Sequence, residues 1–154
     1  MVFLFFGLLS VFGTFFLFSK QIDIRLLLPA SAVGFLSTAV LNLNNMRDLK
    51  SDKNSQKYTL AGYMGRKNSK VYHFALILSA IILMIVFQLI MSFSNLMLFS
   101  WVAFAPLLFH LKIVYGIKNP KRFDPHLKLV ALSTFVMSLL FASVLVIEQL
   151  RQFL

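Results

Sequence analysis

Cysteine is absent from the 154 residues, which excludes disulfides and thiolate metal centres. Acidic side chains are nearly as scarce. There are five, Asp23, Asp48, Asp52, Asp124 and Glu148, against 15 Lys and Arg, for a formal net charge of +10. Charged residues of both signs make up only 13% of the chain while 59% is hydrophobic, and the mean hydropathy is +0.83. That balance excludes a soluble globular domain. Internal repeats and low-complexity tracts are missing as well. No Lys or Arg precedes the first apolar run, Val2 to Phe18, and no small-residue cleavage site follows it. It therefore reads as a membrane helix rather than a signal peptide, and its abrupt, uncharged start fits a truncated helix.

What is present instead is hydrocarbon in runs of membrane-spanning length. The pattern predicts an all-α, polytopic transmembrane bundle in a single domain, with five spans at about 2–18, 26–45, 71–91, 96–115 and 129–147 and loops at 46–70 and 116–128. Pro29 falls in the first turn of the second span, where a missing N–H costs little. Ala30, Gly34 and Thr38 follow at four-residue intervals, a small face that lets a neighbouring helix approach closely. Pro106 predicts a kink in the fourth span, and Ser92-Phe93-Ser94-Asn95 predicts an uncharged turn before it. His110, near the end of that span, reads as an interfacial or hydrogen-bonded residue. Seven of the cations lie in 47–70 and five in 112–128, leaving three elsewhere. This partition accounts for the basic charge as positive-inside topology, with a lipid bilayer rather than nucleic acid as partner. It places the N-terminus and both basic loops in the cytoplasm and the C-terminus outside, as for a multi-pass protein of the inner (plasma) membrane.

The one long polar interval, Leu41 to Lys70, carries the candidate chemistry. On a helix, Asn44, Asp48 and Asp52 project from one face at about 6 Å of axial rise per step. They offer two carboxylates and a carboxamide, hard oxygen donors of the kind Mg²⁺ takes when it also holds phosphate. Around them stand Arg47, Lys50, Lys53, Lys57, Arg66, Lys67 and Lys70. A carboxylate pair within surplus positive charge suits a metal together with a diphosphate. The same pattern also fits an ordinary cytoplasmic loop whose carboxylates pair with nearby lysines, and spacing alone does not choose between the two. Ser37, Thr38, Asn42, Asn44 and Asn45 make the end of the second span progressively polar, so this part is expected to face a wet cavity. Tyr58 to Met64 is either a short interfacial helix over that cavity or a solvated loop.

Asn44-Asn45-Met46-Arg47-Asp48, Asp52, Lys57-Tyr58-Thr59-Leu60-Ala61, Gly65-Arg66 and Tyr72-His73 together resemble the second Asp-rich motif of the UbiA-type membrane prenyltransferases. Within that family they are most similar to the branch that prenylates 1,4-dihydroxy-2-naphthoate in menaquinone synthesis. Two positions depart from the pattern. Gln56 stands where the family has Gly, which stiffens the loop, and Tyr63 stands where it usually has Arg, which removes one phosphate contact. Leu28-Pro29-Ala30, Ala105-Pro106-Leu107-Leu108 and Phe123-Asp124-Pro125 match more loosely. Family members are about twice as long and carry an earlier Asn-Asp-rich motif. The resemblance therefore implies the C-terminal half of a nine-helix enzyme, opening within its fifth helix and incomplete, hence inactive, without an N-terminal half.

The resemblance also implies a reaction, transfer of a polyprenyl group from polyprenyl diphosphate to 1,4-dihydroxy-2-naphthoate to form demethylmenaquinone. It makes Asp48 and Asp52 catalytic Mg²⁺ ligands, with Asn44 a further metal ligand or a partner of those ligands, and gives Arg47, Lys57 and Arg66 to the diphosphate. Asn44 and Asn45 would line the substrate cavity, and Phe-rich helices would house the isoprenoid. Two other classes stay open: a related aromatic prenyltransferase of the 4-hydroxybenzoate or haem-farnesylating type, and a non-enzymatic channel or transporter subunit with a polar half-helix.

Overall fold

Apolar runs of spanning length satisfy their backbone in lipid by folding as helices, and helix is the regular structure that the described residues form. The computed structural model describes the backbone of residues 1–91 and 95–153, and among these no strand occurs. A π-helical stretch, Phe3–Leu9, leads into α1, Ser10–Ser19. Asp23 then accepts the Arg25 backbone N–H at 2.9 Å and opens a 3-10 turn, Ile24–Leu26, that runs into α2, Leu27–Asn54. The remaining elements are α3, Leu60–Met91, a 3-10 segment, Asn95–Phe104, continuing into α4, Ala105–Gly116, and a 3-10 turn, Pro120–Phe123, continuing into α5, Asp124–Phe153.

Three helices, Ile24–Asn54, Leu60–Met91 and Pro120–Val144, are long and apolar enough to cross a bilayer, and Phe3–Ser19 and Ser100–Gly116 are shorter apolar helices. The chain is a membrane protein. The segment expected as the fourth span reaches further than its α-helical part suggests. Ten 3-10 residues at ~2 Å rise and twelve α residues at ~1.5 Å together extend about 38 Å, more than the ~30 Å of hydrocarbon. Pro106 does not kink a continuous helix there. It sits in the first turn of α4, where the 3-10 segment ends, because a residue without an N–H is tolerated where the α ladder begins. The uncharged turn expected at Ser92 to Asn95 falls largely on residues 92–94, outside the described residues.

The interval expected as a loop, 46–70, is mostly helix. Residues 46–54 contain neither Gly nor Pro, so nothing stops α2 until Asn54. There the chain turns in a Schellman motif: Lys57 N–H donates to Asp52 O at 2.8 Å and Gln56 N–H to Lys53 O at 3.3 Å. The left-handed residue of this turn is Gln56, at φ 54°, the position where the resembled family carries Gly. Thr59 then caps α3 by accepting the Gly62 N–H at 3.1 Å. Gly65, at φ 74°, divides α3 into a short helix, 60–64, and a long one, 66–91.

The centre of the bundle is α2, which packs against α3, the π-helical stretch, α5 and the Pro120–Phe123 turn. Leu36, Leu43, Met46, Ile77, Leu107 and Phe123 are completely or almost completely buried around it. The small face of α2 receives the N-terminal stretch. A Cβ on Gly7 would lie 2.6 Å from the Gly34 Cα and 2.7 Å from the Ala30 carbonyl, so the two backbones touch as small-residue packing in lipid allows.

Candidate functional site

The polar stripe on α2 is divided into two environments by the cations that answer it. Arg47 folds back along its own helix. Its Nε and Nη2 donate to the two Asp48 carboxylate oxygens at 2.8 and 2.9 Å, and Nη2 also donates to Asn44 Oδ1 at 2.7 Å. Its Nη1 reaches Asp124 Oδ1, 77 residues away at the start of α5, at 2.9 Å. Asp48 stands past the apolar part of α2, and hydrogen bonds from Arg47 hold its carboxyl below the usual carboxylate range.

Asp52, two turns beyond Asn44, is served differently. The Schellman turn folds Lys57 back over the helix end, where Nζ donates to Asp52 Oδ1 at 3.2 Å. The Asp52 side chain is only 10% exposed, against 31% for Asp48. Its second oxygen, Oδ2, is buried with no hydrogen-bond partner. Asp52 lines a cleft of about 810 Å³ together with Lys50, Lys53, Lys57, Tyr58 and Arg66.

The structure therefore brings Asp52, Lys57 and Arg66 to one cleft and gathers Asn44, Arg47 and Asp48 into a second cluster on the same helix. Asn44 also lines an apolar cavity of about 430 Å³ with Phe6, Val40, Leu41, Leu127 and Thr134. Asn45 is buried and lines neither space. Arg66 spends one donor on the Lys118 carbonyl, at 3.0 Å. Lys70, one turn on, donates to the carbonyls of Tyr115 and Ile117 at 2.8 and 2.7 Å. Two of the seven cations in this interval thus tie α3 to the C-terminal end of α4, where a helix leaves carbonyls unpaired.

Two features escaped the sequence reading. Asp124 belongs to the Arg47 cluster, and its only signal was the loosely matching Phe-Asp-Pro string. All three histidines of the chain also converge. His73 Nε2 lies 2.7 Å from His110 Nε2, and His110 Nδ1 lies 2.9 Å from His126 Nδ1. His73 and His110 are fully buried, so His110 is a core residue hydrogen-bonded on both sides rather than an interfacial one. Sequence offered only a lone His on each of three helices.

A divalent cation is testable against these donors. Among the described residues no three His, Asp or Glu side chains come together as a metal-binding group, so a closed protein cage is absent there. Mg²⁺ commonly takes one or two carboxylates and fills the rest of its shell with water and phosphate. Asp52, buried with an unsatisfied oxygen beside a cationic cleft, and Asp48 and Asn44 on the same helix fit that requirement.

Residues 1–126 match the family model described as "UbiA prenyltransferase family". A 1,4-dihydroxy-2-naphthoate octaprenyltransferase of Haemophilus influenzae is 35% identical over 144 residues, which are 92% of this chain and 46% of that protein. The protein of the same name from Escherichia coli is 41% identical over 109 residues, 70% of this chain and 34% of its own. A Mycobacterium leprae relative, again of that name, is 36% identical over 91 residues, 59% of this chain and 31% of its own. The chain thus spans about half, or less, of the length of these curated relatives. No solved structure matches it.

Proposed function

The chain belongs to the UbiA prenyltransferase family, and from that premise we propose that it carries one half of the site that transfers a polyprenyl group from its diphosphate to 1,4-dihydroxy-2-naphthoate, yielding demethylmenaquinone. The observation that carries this reading is the position of Asn44, Asp48 and Asp52. They occupy one end of α2, with an apolar cavity at Asn44 and a cationic cleft at Asp52. A substrate with a hydrocarbon tail and a diphosphate head needs both surfaces. The activity for which the relatives are named supplies the acceptor. The other half of the site is assigned to the part of those relatives that this chain does not cover. Orientation follows from charge: both basic intervals face the cytoplasm, across the inner membrane.

In this mechanism Asp48 and Asp52, with Asn44, would hold Mg²⁺. When bound, the ion offsets negative charge that grows on the diphosphate as the allylic C–O bond breaks. Lys57 and Arg66 line the cleft and donate to phosphate oxygens, and Arg47 joins them from the Asp48 side. Residues such as Phe6, Val40 and Leu127 enclose the isoprenoid near its reacting end and keep water from the allylic cation. The assignment is tested in the complete enzyme by Mg²⁺-dependent prenyl transfer. Asp48→Asn and Asp52→Asn are each expected to lower the rate by about a thousandfold while the protein remains inserted in the membrane. Near-normal transfer in either variant would remove that residue from the site. An acceptor panel including 4-hydroxybenzoate separates the naphthoate reading from its relatives.

A further inference from the structure

We propose that Arg47 is a resident counter-ion of the metal site and that Asp124 is a positioning residue, onto which Arg47 shifts when a divalent cation takes Asp48. The inference rests on the prenyltransferase reading but concerns a step before chemistry. Arg47 makes four hydrogen bonds of 2.7 to 2.9 Å: two to Asp48, one to Asn44 and one to Asp124. Both carboxylate oxygens that would ligate a metal, and the carboxamide oxygen beside them, therefore each already accept a guanidinium N–H. A divalent ion at Asp48 competes with those three bonds for the oxygen lone pairs, and its charge repels Arg47 from the site. The fourth bond points elsewhere. Asp124 sits at the first turn of α5, on a different element from the stripe, and is 52% exposed. It can keep its hold while the Asp48 side lets go. A guanidinium retained in this way stays at the mouth of the site with its fork free, the geometry that accepts phosphate oxygens in pairs.

Two consequences distinguish this arrangement from a plain surface ion pair. Removing Arg47 removes a competitor for the metal ligands, so metal affinity should rise. Removing the charge of Asp124 leaves Arg47 wholly committed to Asn44 and Asp48, so metal affinity should fall, but only while Arg47 is present. A simple loss of negative potential at Asp124 would weaken cation binding with or without Arg47.

The experiment is an Mn²⁺ titration, read by electron paramagnetic resonance, on the complete enzyme in lipid nanodiscs, since this chain carries only one half of the proposed site. Arg47→Met is expected to bind Mn²⁺ more tightly than the parent protein. Asp124→Asn is expected to bind it about three- to fivefold more weakly, the range a partly exposed pair supports. That loss should vanish in the Arg47→Met background, and Asp124→Glu, which keeps the charged carboxylate, should bind like the parent. An unchanged or weakened affinity in Arg47→Met overturns the proposal, as does a loss from Asp124→Asn that persists without Arg47. Asp48→Asn serves as the separate check. Parental Mn²⁺ binding in that variant, or none in the parent itself, sinks the metal reading of the whole site, whereas a loss at Asp48→Asn with no effect at Asp124→Asn sinks only the role of Asp124.

Discussion

Asp48 and Asp52 are the same residue one turn apart on the same helix, yet their surroundings are opposite. Asp48 is the more exposed and has both oxygens bonded by one guanidinium. Asp52 is the more buried and has a single lysine bond and an idle oxygen. A buried carboxylate short of partners costs folding free energy, so the chain tolerates at Asp52 a deficit that it avoids at Asp48. The comparison shows that a regular sequence spacing is not a uniform site. One carboxylate has both oxygens answered by a single guanidinium, and the other keeps a buried oxygen without a partner beside its lysine.

The largest test of this contrast is kinetic. If both carboxylates serve one ion, the double variant Asp48→Asn/Asp52→Asn in the complete enzyme should lose about the same thousandfold in prenyl transfer as either single change, since groups that act as a unit are not additive. Multiplying losses would mean two separate sites and would break the assignment. A smaller effect concerns folding. Lys57→Met strips Asp52 of the ammonium that donates to its Oδ1 and should lower stability by about 1–2 kcal/mol, measured by thermal unfolding in detergent, and the loss should disappear in the Asp52→Asn background. Smaller again, Gln56→Gly should raise stability by up to about 1 kcal/mol, because it frees a left-handed position from a side chain without disturbing the turn that aims Lys57. A Gln56→Gly variant less stable than the parent would show that the glutamine side chain does something the backbone does not. The smallest effect is in acid. Arg47 depresses the Asp48 carboxyl, so its contribution is fully present above the unfolded-state value of about 3.9 and is lost as pH falls through the folded value. Stability curves of the parent and Asp48→Asn should accordingly converge below about pH 4.

The helical class and the approximate positions of the apolar segments were legible because hydropathy and turn residues act locally. The close approach at Gly34 was legible for the same reason, since Ala30 and Gly34 leave room that their neighbour Gly7 fills. The extent of helix in 46–70 was not. Its polarity suggested a loop, but a helix already formed upstream propagates until a breaker stops it, and 46–54 has none. The partition of the stripe was also hidden, because it depends on which rotamer Arg47 takes and on an aspartate 77 residues away. Periodicity placed Asn44, Asp48 and Asp52 on one face correctly, yet four-residue steps drift around the helix by roughly 40° each, and that drift separates the Arg47 cluster from the cleft at Asp52. Gln56 is the opposite case. Its mismatch with the resembled family's Gly was visible in sequence, but its meaning as the left-handed residue of a cap required the backbone.

Three imidazoles in a row leave two gaps, and each gap holds one shared hydrogen. The tautomer of His73 therefore constrains His110, and His110 in turn constrains His126. Replacing any one ring with an apolar side chain strands a nitrogen of its neighbour inside the bundle, while replacing all three together strands none. Helices α3, α4 and α5 are joined by a trio in which the loss of one ring costs its neighbour a hydrogen-bond partner.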